Sequence, residues 1–178
     1  MRSRIIFSAS PAAVLLLAIV FFLDSSGLVS AFVPAVAAHE LGHLLVLRLF
    51  HRRVTRCHLG LSGLEINYAP QLEGAESLLC AAAGPAFGCV YAVIACSFSD
   101  DFWLVSGAAS FVLTLFNLLP VLPLDGGRIL SALLPAPAAR FISLIAACLL
   151  LILGACLLVI CRAPVPMLAA AWLTLCNL

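Results

Sequence analysis

Three ionisable side chains lie close together near the middle of a stretch of nearly all apolar residues, from residue 28 to residue 49. They are His39, Glu40 and His43, in the pattern H-E-x-x-H. A helix of about 20 mainly apolar residues can span a bilayer. Charged side chains at the centre of such a helix cost about 2.5–3.5 kcal/mol each on insertion scales. The three polar groups therefore need a compensating interaction, and this need limits what the chain can fold into.

The spacing of the motif indicates a metal site. Residues four apart lie on one face of a helix, so His39 and His43 can direct two imidazoles at one metal ion. Glu40 lies one step round the helix, where its carboxylate can take a proton from water that the metal activates, as in zinc peptidases. The alternative is a chance motif with two hydrogen-bonded core histidines. The apolar context favours the metal, because a cation offsets the charge of Glu40 and binds both histidines.

The amino-acid composition indicates the environment in which this chain folds. Of its 178 residues, 65% are hydrophobic and 10% are charged, and the mean hydropathy is +1.22. Globular proteins carry about 25% charged residues, so we expect an integral membrane protein with residues 1–178 in a single domain. The net charge of +1 argues against a surface that binds nucleic acid. None of the eight cysteines forms a C-x-x-C pair, so we interpret them as small apolar residues rather than disulfides or ligands.

The apolar runs predict an all-α polytopic protein with about six transmembrane helices. The first run, residues 5–23, is either a span or a cleaved signal peptide ending near Val29-Ser30-Ala31. We favour a span, because the motif helix needs neighbours to cover it. The remaining spans are expected at residues 28–50, 77–98, 102–119, 141–160 and 163–178. The fifth carries no functional signal and is expected to be a lipid-facing support.

Two shorter patterns add detail. Residues 54–68 alternate in polarity about Ser62-Gly63, which predicts a short β-hairpin between the second and third spans. The hairpin is either a plain connector or an exposed edge to which an extended substrate adds as a strand. Gly84 and Gly88 are four residues apart and allow another helix to approach closely, so we expect them to pack rather than react.

The arginines predict the orientation in the membrane. One side carries Arg2, Arg4, the cluster from Arg48 to Arg56, Arg128 and Arg140. The other side carries Asp24, Asp100 and Asp101, and Arg162 is the exception. We therefore expect a multi-pass protein of the cell membrane, with its N-terminus and the opening of its active site on the cytoplasmic side.

A third metal ligand is expected at Asp125, which follows the fourth span on the side of the histidines. Pro120 and Pro123 interrupt the helix before it, and irregular backbone at membrane depth is tolerated only where protein or water covers it. This segment therefore delivers a carboxylate into a cavity. The alternative is a helix-end aspartate in an ordinary loop, and the presence of H-E-x-x-H makes that interpretation the weaker one.

Together the two motifs resemble a known family. His39-Glu40-Leu41-Gly42-His43, with the segment from Asn117-Leu118-Leu119-Pro120 to Pro123-Leu124-Asp125-Gly126-Gly127, is similar to the site-2 protease family of intramembrane zinc metalloproteases. The most similar branch is the sporulation type, which cleaves a membrane-associated pro-sigma factor, and residues 84–88 resemble the third motif of the family. The resemblance implies that His39, His43 and Asp125 bind Zn²⁺, that Glu40 is the catalytic base and that Asn117 holds the substrate strand. The regulatory cystathionine-synthase-like module and the PDZ insertion are not found, which leaves regulation and substrate open.

We therefore expect an intramembrane zinc metalloendopeptidase that acts in regulated intramembrane proteolysis. The expected partners are the lipid bilayer and a membrane-spanning or membrane-associated protein substrate, such as a pro-sigma or an anti-sigma factor, and no nucleic acid. Two alternatives belong to other classes: a metal-binding membrane transporter, and a catalytically silent protein that grips membrane helices. Glu40 distinguishes the transporter from the peptidase, because a transporter can use Glu40 as a metal ligand, whereas a peptidase needs it only for chemistry. The intact ligand set argues against the second.

Overall fold

The computed structural model describes residues 6–60 and 63–177. In chain order, the elements are β1 (Ile6–Ala9), α1 (Pro11–Leu23), α2 (Leu28–Leu49), β2 (Arg53–Gly60), β3 (Gly63–Ala69), α3 (Gly74–Cys96), α4 (Asp101–Asn117), α5 (Asp125–Leu133), α6 (Ala136–Cys161) and α7 (Pro164–Asn177). The predicted motif helix is α2, and it ends within a residue of the expected position. All eight cysteines fall within the described ranges and are free thiols, as expected.

The predicted hairpin is confirmed, and it belongs to a larger sheet. Strands β2 and β3 pair antiparallel, with Gly60 opposite Gly63, and β1 pairs parallel to β2, with Ile6 opposite Arg56. The sheet order is β1-β2-β3. Gly63 is already part of β3, so the prediction of a turn at Ser62-Gly63 is wrong at that residue. Ser62 lies outside the described residues.

The first apolar run is not one continuous helix from residue 5 to residue 23, so that part of the prediction is wrong, and whether α1 crosses the membrane stays a prediction. Its start forms β1, and α1 begins only at Pro11. Ser10 caps this helix by accepting the Ala13 N–H at 3.1 Å, and proline is well suited to a first helical position. The 13 residues of α1 rise about 20 Å, which is less than the roughly 30 Å hydrocarbon core of a bilayer.

Within the described ranges, three helices are long and apolar enough to cross a membrane: α2, α3 and α6. The apolar helices α1, α4 and α7 are shorter, at 13, 17 and 14 residues. The count of six spans therefore stays a prediction. Because β1 and β2 share a sheet, the chain returns to the same side of the protein after α1 and α2.

Helices α2, α3 and α4 pack against one another, and α5 packs against α3. Small residues make these contacts close, as expected for the segment from Gly84 to Gly88. A Cβ at Gly42 would lie 2.4 Å from the Ala83 carbonyl oxygen, and one at Gly88 would lie 2.3 Å from Thr114 Oγ1. Hydroxyl groups of α4 line the same contact, since Ser110 Oγ donates to the Gly88 carbonyl at 2.9 Å.

The contact between Gly88 and Thr114 gives a stability prediction. Gly88→Ala should destabilise the protein by about 1–3 kcal/mol, because Thr114 is 1% exposed and has little room to move. Thr114→Ala should relieve the clash, since the next nearest atoms to the new Cβ, Ser110 Oγ and Thr114 Cβ, lie at 3.6 and 3.7 Å. A double-mutant cycle of thermal unfolding in detergent measures the coupling. Additive effects of the two substitutions would contradict this packing.

Candidate metal centre

The structure brings together the three side chains that the sequence proposed as metal ligands. His39 Nε2 lies 3.0 Å from Asp125 Oδ2, and His43 Nε2 lies 3.3 Å from the same oxygen. The two Nε2 atoms are 3.3 Å apart. All three residues are buried, with 4%, 9% and 5% of their surfaces exposed. One ligand atom from each residue can therefore contact a single ion.

Helix α2 positions the histidines, and α3 forms the floor beneath them. His39 and His43 share the buried face of α2 with Ala35 and Gly42. Gly84 of α3 lies directly below, where a Cβ would be 2.2 Å from His43 Nε2 and 2.8 Å from His39 Nε2. Gly84 therefore has a packing role, as expected, and this role is at the centre itself: the imidazoles occupy the space that a side chain at position 84 would fill.

Asp125 reaches the histidines from a helix that the sequence did not predict. It is the first residue of α5, and the two glycines after it lie flat against the preceding loop. A Cβ at Gly126 would be 2.2 Å from the Leu118 carbonyl oxygen, and one at Gly127 would be 2.5 Å from the Val121 carbonyl carbon. Any side chain at these two positions would push α5 away from the loop and withdraw the Asp125 carboxylate.

One hydrogen bond determines which ring nitrogen of His43 carries a hydrogen in the neutral form. Its Nδ1 lies 2.8 Å from the carbonyl oxygen of Cys80. Because a carbonyl only accepts, Nδ1 carries a hydrogen, and in the neutral imidazole the lone pair is then on Nε2, the atom that lies near His39 and Asp125. This contact could not be predicted from the sequence, because it is made by the backbone carbonyl of Cys80 and not by its thiol.

The buried polar atoms of this cluster fit a cation. Asp125 Oδ2 makes no well-oriented hydrogen bond with either imidazole, and His39 Nδ1 also has no hydrogen-bond partner among the described residues. A buried carboxylate oxygen without a partner is costly, whereas a divalent cation among three convergent lone pairs would compensate it. Two imidazoles and one carboxylate are a ligand set typical of catalytic zinc, which leaves a fourth position for water or substrate.

The structure places the other two candidate residues differently. Glu40 follows His39 in α2, is half-buried, and interacts electrostatically with both histidines, Asp125 and Arg128. It is not one of the three convergent ligands. Asn117 is the last residue of α4, and its Nδ2 donates to the Leu113 carbonyl at 3.0 Å. A role for Asn117 in holding substrate stays a prediction.

A cavity that sequence reasoning missed is lined by Arg128, one helical turn after Asp125. It has a volume of about 300 Å³ and lies between the start of α3 and α5. Its lining comprises Leu72, Glu73, Gly74, Ser77, Leu122, Arg128, Ser131 and Ala132. The spacing of Asp125 and Arg128 is visible in the sequence, but α5 was not predicted as a helix, so the cavity was not predicted either.

Two comparisons with known proteins found a match. Residues 96–161, less than half of the chain, match the model of Peptidase family M50. This region includes Asp125 and does not include the H-E-x-x-H segment. The fold is similar to the solved structure of the site-2 protease from Methanocaldococcus jannaschii, with a TM-score of 0.69 and 19% identity over 99% of this chain and 90% of that chain. No curated protein matches this sequence. The fold is therefore that of a site-2 protease.

Gly84 provides a test of the centre that leaves every ligand in place. Gly84→Ala should lower the metal affinity, because the new Cβ displaces both imidazoles. Loss of a residue that supports a metal ligand costs roughly 10–100-fold in affinity, and we expect an effect at least as large here. The measurement is metal analysis of the purified protein, with chelator competition. Gly88→Ala is the matched control: it adds the same methyl group one turn along α3, against Thr114, and should keep the metal. Equal metal binding by the Gly84→Ala variant and the parent would contradict the site.

Proposed function

We propose that this protein is an intramembrane zinc metalloendopeptidase that cleaves a peptide bond of a membrane-spanning or membrane-associated protein. One observation carries the proposal: His39, His43 and Asp125 converge in a buried cluster, with Glu40 beside it, on the fold of a site-2 protease. The match of residues 96–161 to Peptidase family M50 supports the same reaction. The narrower resemblance to the sporulation-type branch stays a prediction.

Each residue has a distinct role in this reaction. His39, His43 and Asp125 would hold the ion, and Cys80 keeps the His43 imidazole in the tautomer that can bind it. Bound zinc supplies Lewis-acid chemistry, which lowers the pKa of a water molecule and polarises a peptide carbonyl. Glu40 accepts the proton of the attacking water and returns it to the leaving amine. Asn117, at the end of α4, is proposed to hold the backbone of the substrate.

The proposed substrate is a protein segment in an extended conformation, because the hydrogen bonds of a helix shield its peptide bonds from attack. The outer edges of the sheet, on β1 and β3, offer backbone groups to such a segment. A pro-sigma or an anti-sigma factor would fit as the substrate. The lipid bilayer is the proposed second partner, since the exposed surfaces of α2, α3 and α6 are strongly apolar.

Glu40 separates this function from metal transport. Glu40→Gln should keep the zinc and reduce cleavage by about 10²–10⁴-fold, because glutamine matches glutamate in shape but cannot accept the proton. Asp125→Asn should lower zinc content and cleavage together, since it alters a ligand. The assay co-expresses the protein with candidate single-span or amphipathic membrane substrates and measures product and zinc content in parallel.

The His39→Ala/His43→Ala variant is the control for zinc bound elsewhere and should contain none. Undiminished zinc in that variant would rule out the metal site. If Glu40→Gln cleaves as well as the parent, hydrolysis at this centre is wrong and the transporter becomes the better hypothesis.

The orientation in the cell membrane gives a separate prediction. We propose that the N-terminus, the sheet and the opening of the active site face the cytoplasm, since the arginine cluster from Arg48 to Arg56 adjoins the sheet. In a variant without native cysteines, a thiol from Arg53→Cys should resist a membrane-impermeant reagent added outside intact cells. A thiol from Ser99→Cys, in the loop between α3 and α4, should react. Labelling of position 53 from outside would reverse the orientation.

A further inference from the structure

Two polar side chains of the C-terminal helices hold the loop that delivers Asp125. The Leu122 N–H donates to Ser143 Oγ of α6 at 2.9 Å, and Asn177 Nδ2 of α7 donates to the Leu122 carbonyl at 2.6 Å. Ser143 Oγ in turn donates to Asn177 Oδ1 at 2.5 Å. The three residues therefore form a closed ring, in which both backbone polar groups of Leu122 are bonded by side chains. We name this ring the Leu122 clamp.

Helix α5 rests against the same peptide that the clamp holds. A Cβ at Gly127 of α5 would be 2.6 Å from the Leu122 nitrogen. The Leu124 N–H also donates to the Val121 carbonyl at 2.9 Å, which closes the turn into α5. Because Gly127 is two residues after Asp125 in the same helix, a shift of the Leu122 peptide would shift the start of α5 and the carboxylate with it.

The surroundings of the clamp leave it few alternative arrangements. Ser143 is 1% exposed, and the neighbouring apolar cluster of Val121, Ala147 and Leu173 is equally buried, at 0%, 0% and 1%. The Ser143 hydroxyl therefore cannot exchange its partners for water, so an unmade hydrogen bond there costs the full desolvation penalty. Asn177 is held further by a 2.8 Å bond from its Nδ2 to the Leu173 carbonyl of its own helix.

From this geometry we infer that Ser143 and Asn177 are positioning residues for the metal ligand Asp125. Their hydrogen bonds go to Leu122, to each other and to the Leu173 carbonyl rather than to the proposed ligands, and they fix the Leu122 peptide against which α5 rests. The consequence for zinc rests on the proposed function, whereas the holding of the loop does not. The simpler reading is that the same bonds only join α6 to α7, and the experiment is designed to separate the two.

The test compares two hydroxyl deletions at one helix–helix contact in the full-length protein. Ser143→Ala removes the acceptor of the Leu122 N–H. Thr174→Val, the matched control, removes a hydroxyl that bonds the Ala170 carbonyl of its own helix at 2.8 Å and faces the Ala147 carbonyl of α6 at 3.4 Å. Asn177→Ala removes the donor to Leu122. Ser143→Thr keeps the hydroxyl and tests rescue.

Two measurements follow on each variant: zinc affinity by competition with a chelator, and hydrogen–deuterium exchange of peptides covering residues 118–128. Ser143→Ala and Asn177→Ala should weaken zinc by about 10–100-fold, as other residues that support metal ligands do. They should also speed exchange in residues 118–128. Thr174→Val should leave both unchanged, and Ser143→Thr should restore a large part of the affinity.

The outcomes are distinct. Parent-like zinc affinity and exchange in both Ser143→Ala and Asn177→Ala would overturn the inference. So would an equal effect of Thr174→Val, because the bonds would then only join the two helices. If the parent itself binds no zinc, the proposed function fails, and the exchange of residues 118–128 still decides whether the clamp holds the loop.

Discussion

The approach of one carboxylate to two imidazoles inside an apolar protein is the constraint on which this structure depends. The Asp125 oxygen lies 3.0 and 3.3 Å from the Nε2 atoms of His39 and His43, and none of the three residues is more than 9% exposed. In a medium of low polarity, unpaired groups of this kind are costly. The ligands come from α2 and α5, which are distant in the sequence. Helix α3 joins them, because it packs against both α2 and α5.

Glycines make the approach possible, and backbone carbonyls complete it. Gly84 leaves space for both imidazoles, and Gly126 and Gly127 let α5 lie on the loop before it. The Cys80 carbonyl orients His43 through a 2.8 Å hydrogen bond. Positions that contribute only a backbone group or the space of a missing side chain therefore help to define the geometry of the centre. The same logic extends to Leu122, whose two backbone groups are bonded by Ser143 and Asn177.

What the sequence predicted well was local. Helix α2, its paired histidines and the β2–β3 hairpin follow from spacing and alternation within short segments. Strand β1 was missed because it depends on pairing with residues 56–59, far along the chain, and an apolar run alone favoured a helix. Helix α5 was missed because its first residues, Asp125, Gly126 and Gly127, are poor helix formers placed by contacts with the loop. Asp125 itself was found by combining two motifs, whereas Cys80, Ser143 and Asn177 act through contacts that no local pattern encodes.

The burial of the centre also bears on which function it serves. A transport site must release its ion, so its ligands need a path by which they can separate or hydrate. Here the ligands are enclosed by Gly84 on one side and by the start of α5 on the other, and α5 is fixed in turn through Leu122 to α6 and α7. Withdrawal of Asp125 from the histidines would therefore require α5 to move away from this loop. A resident ion, with the half-buried Glu40 left outside the ligand set, fits a catalytic centre better than cargo.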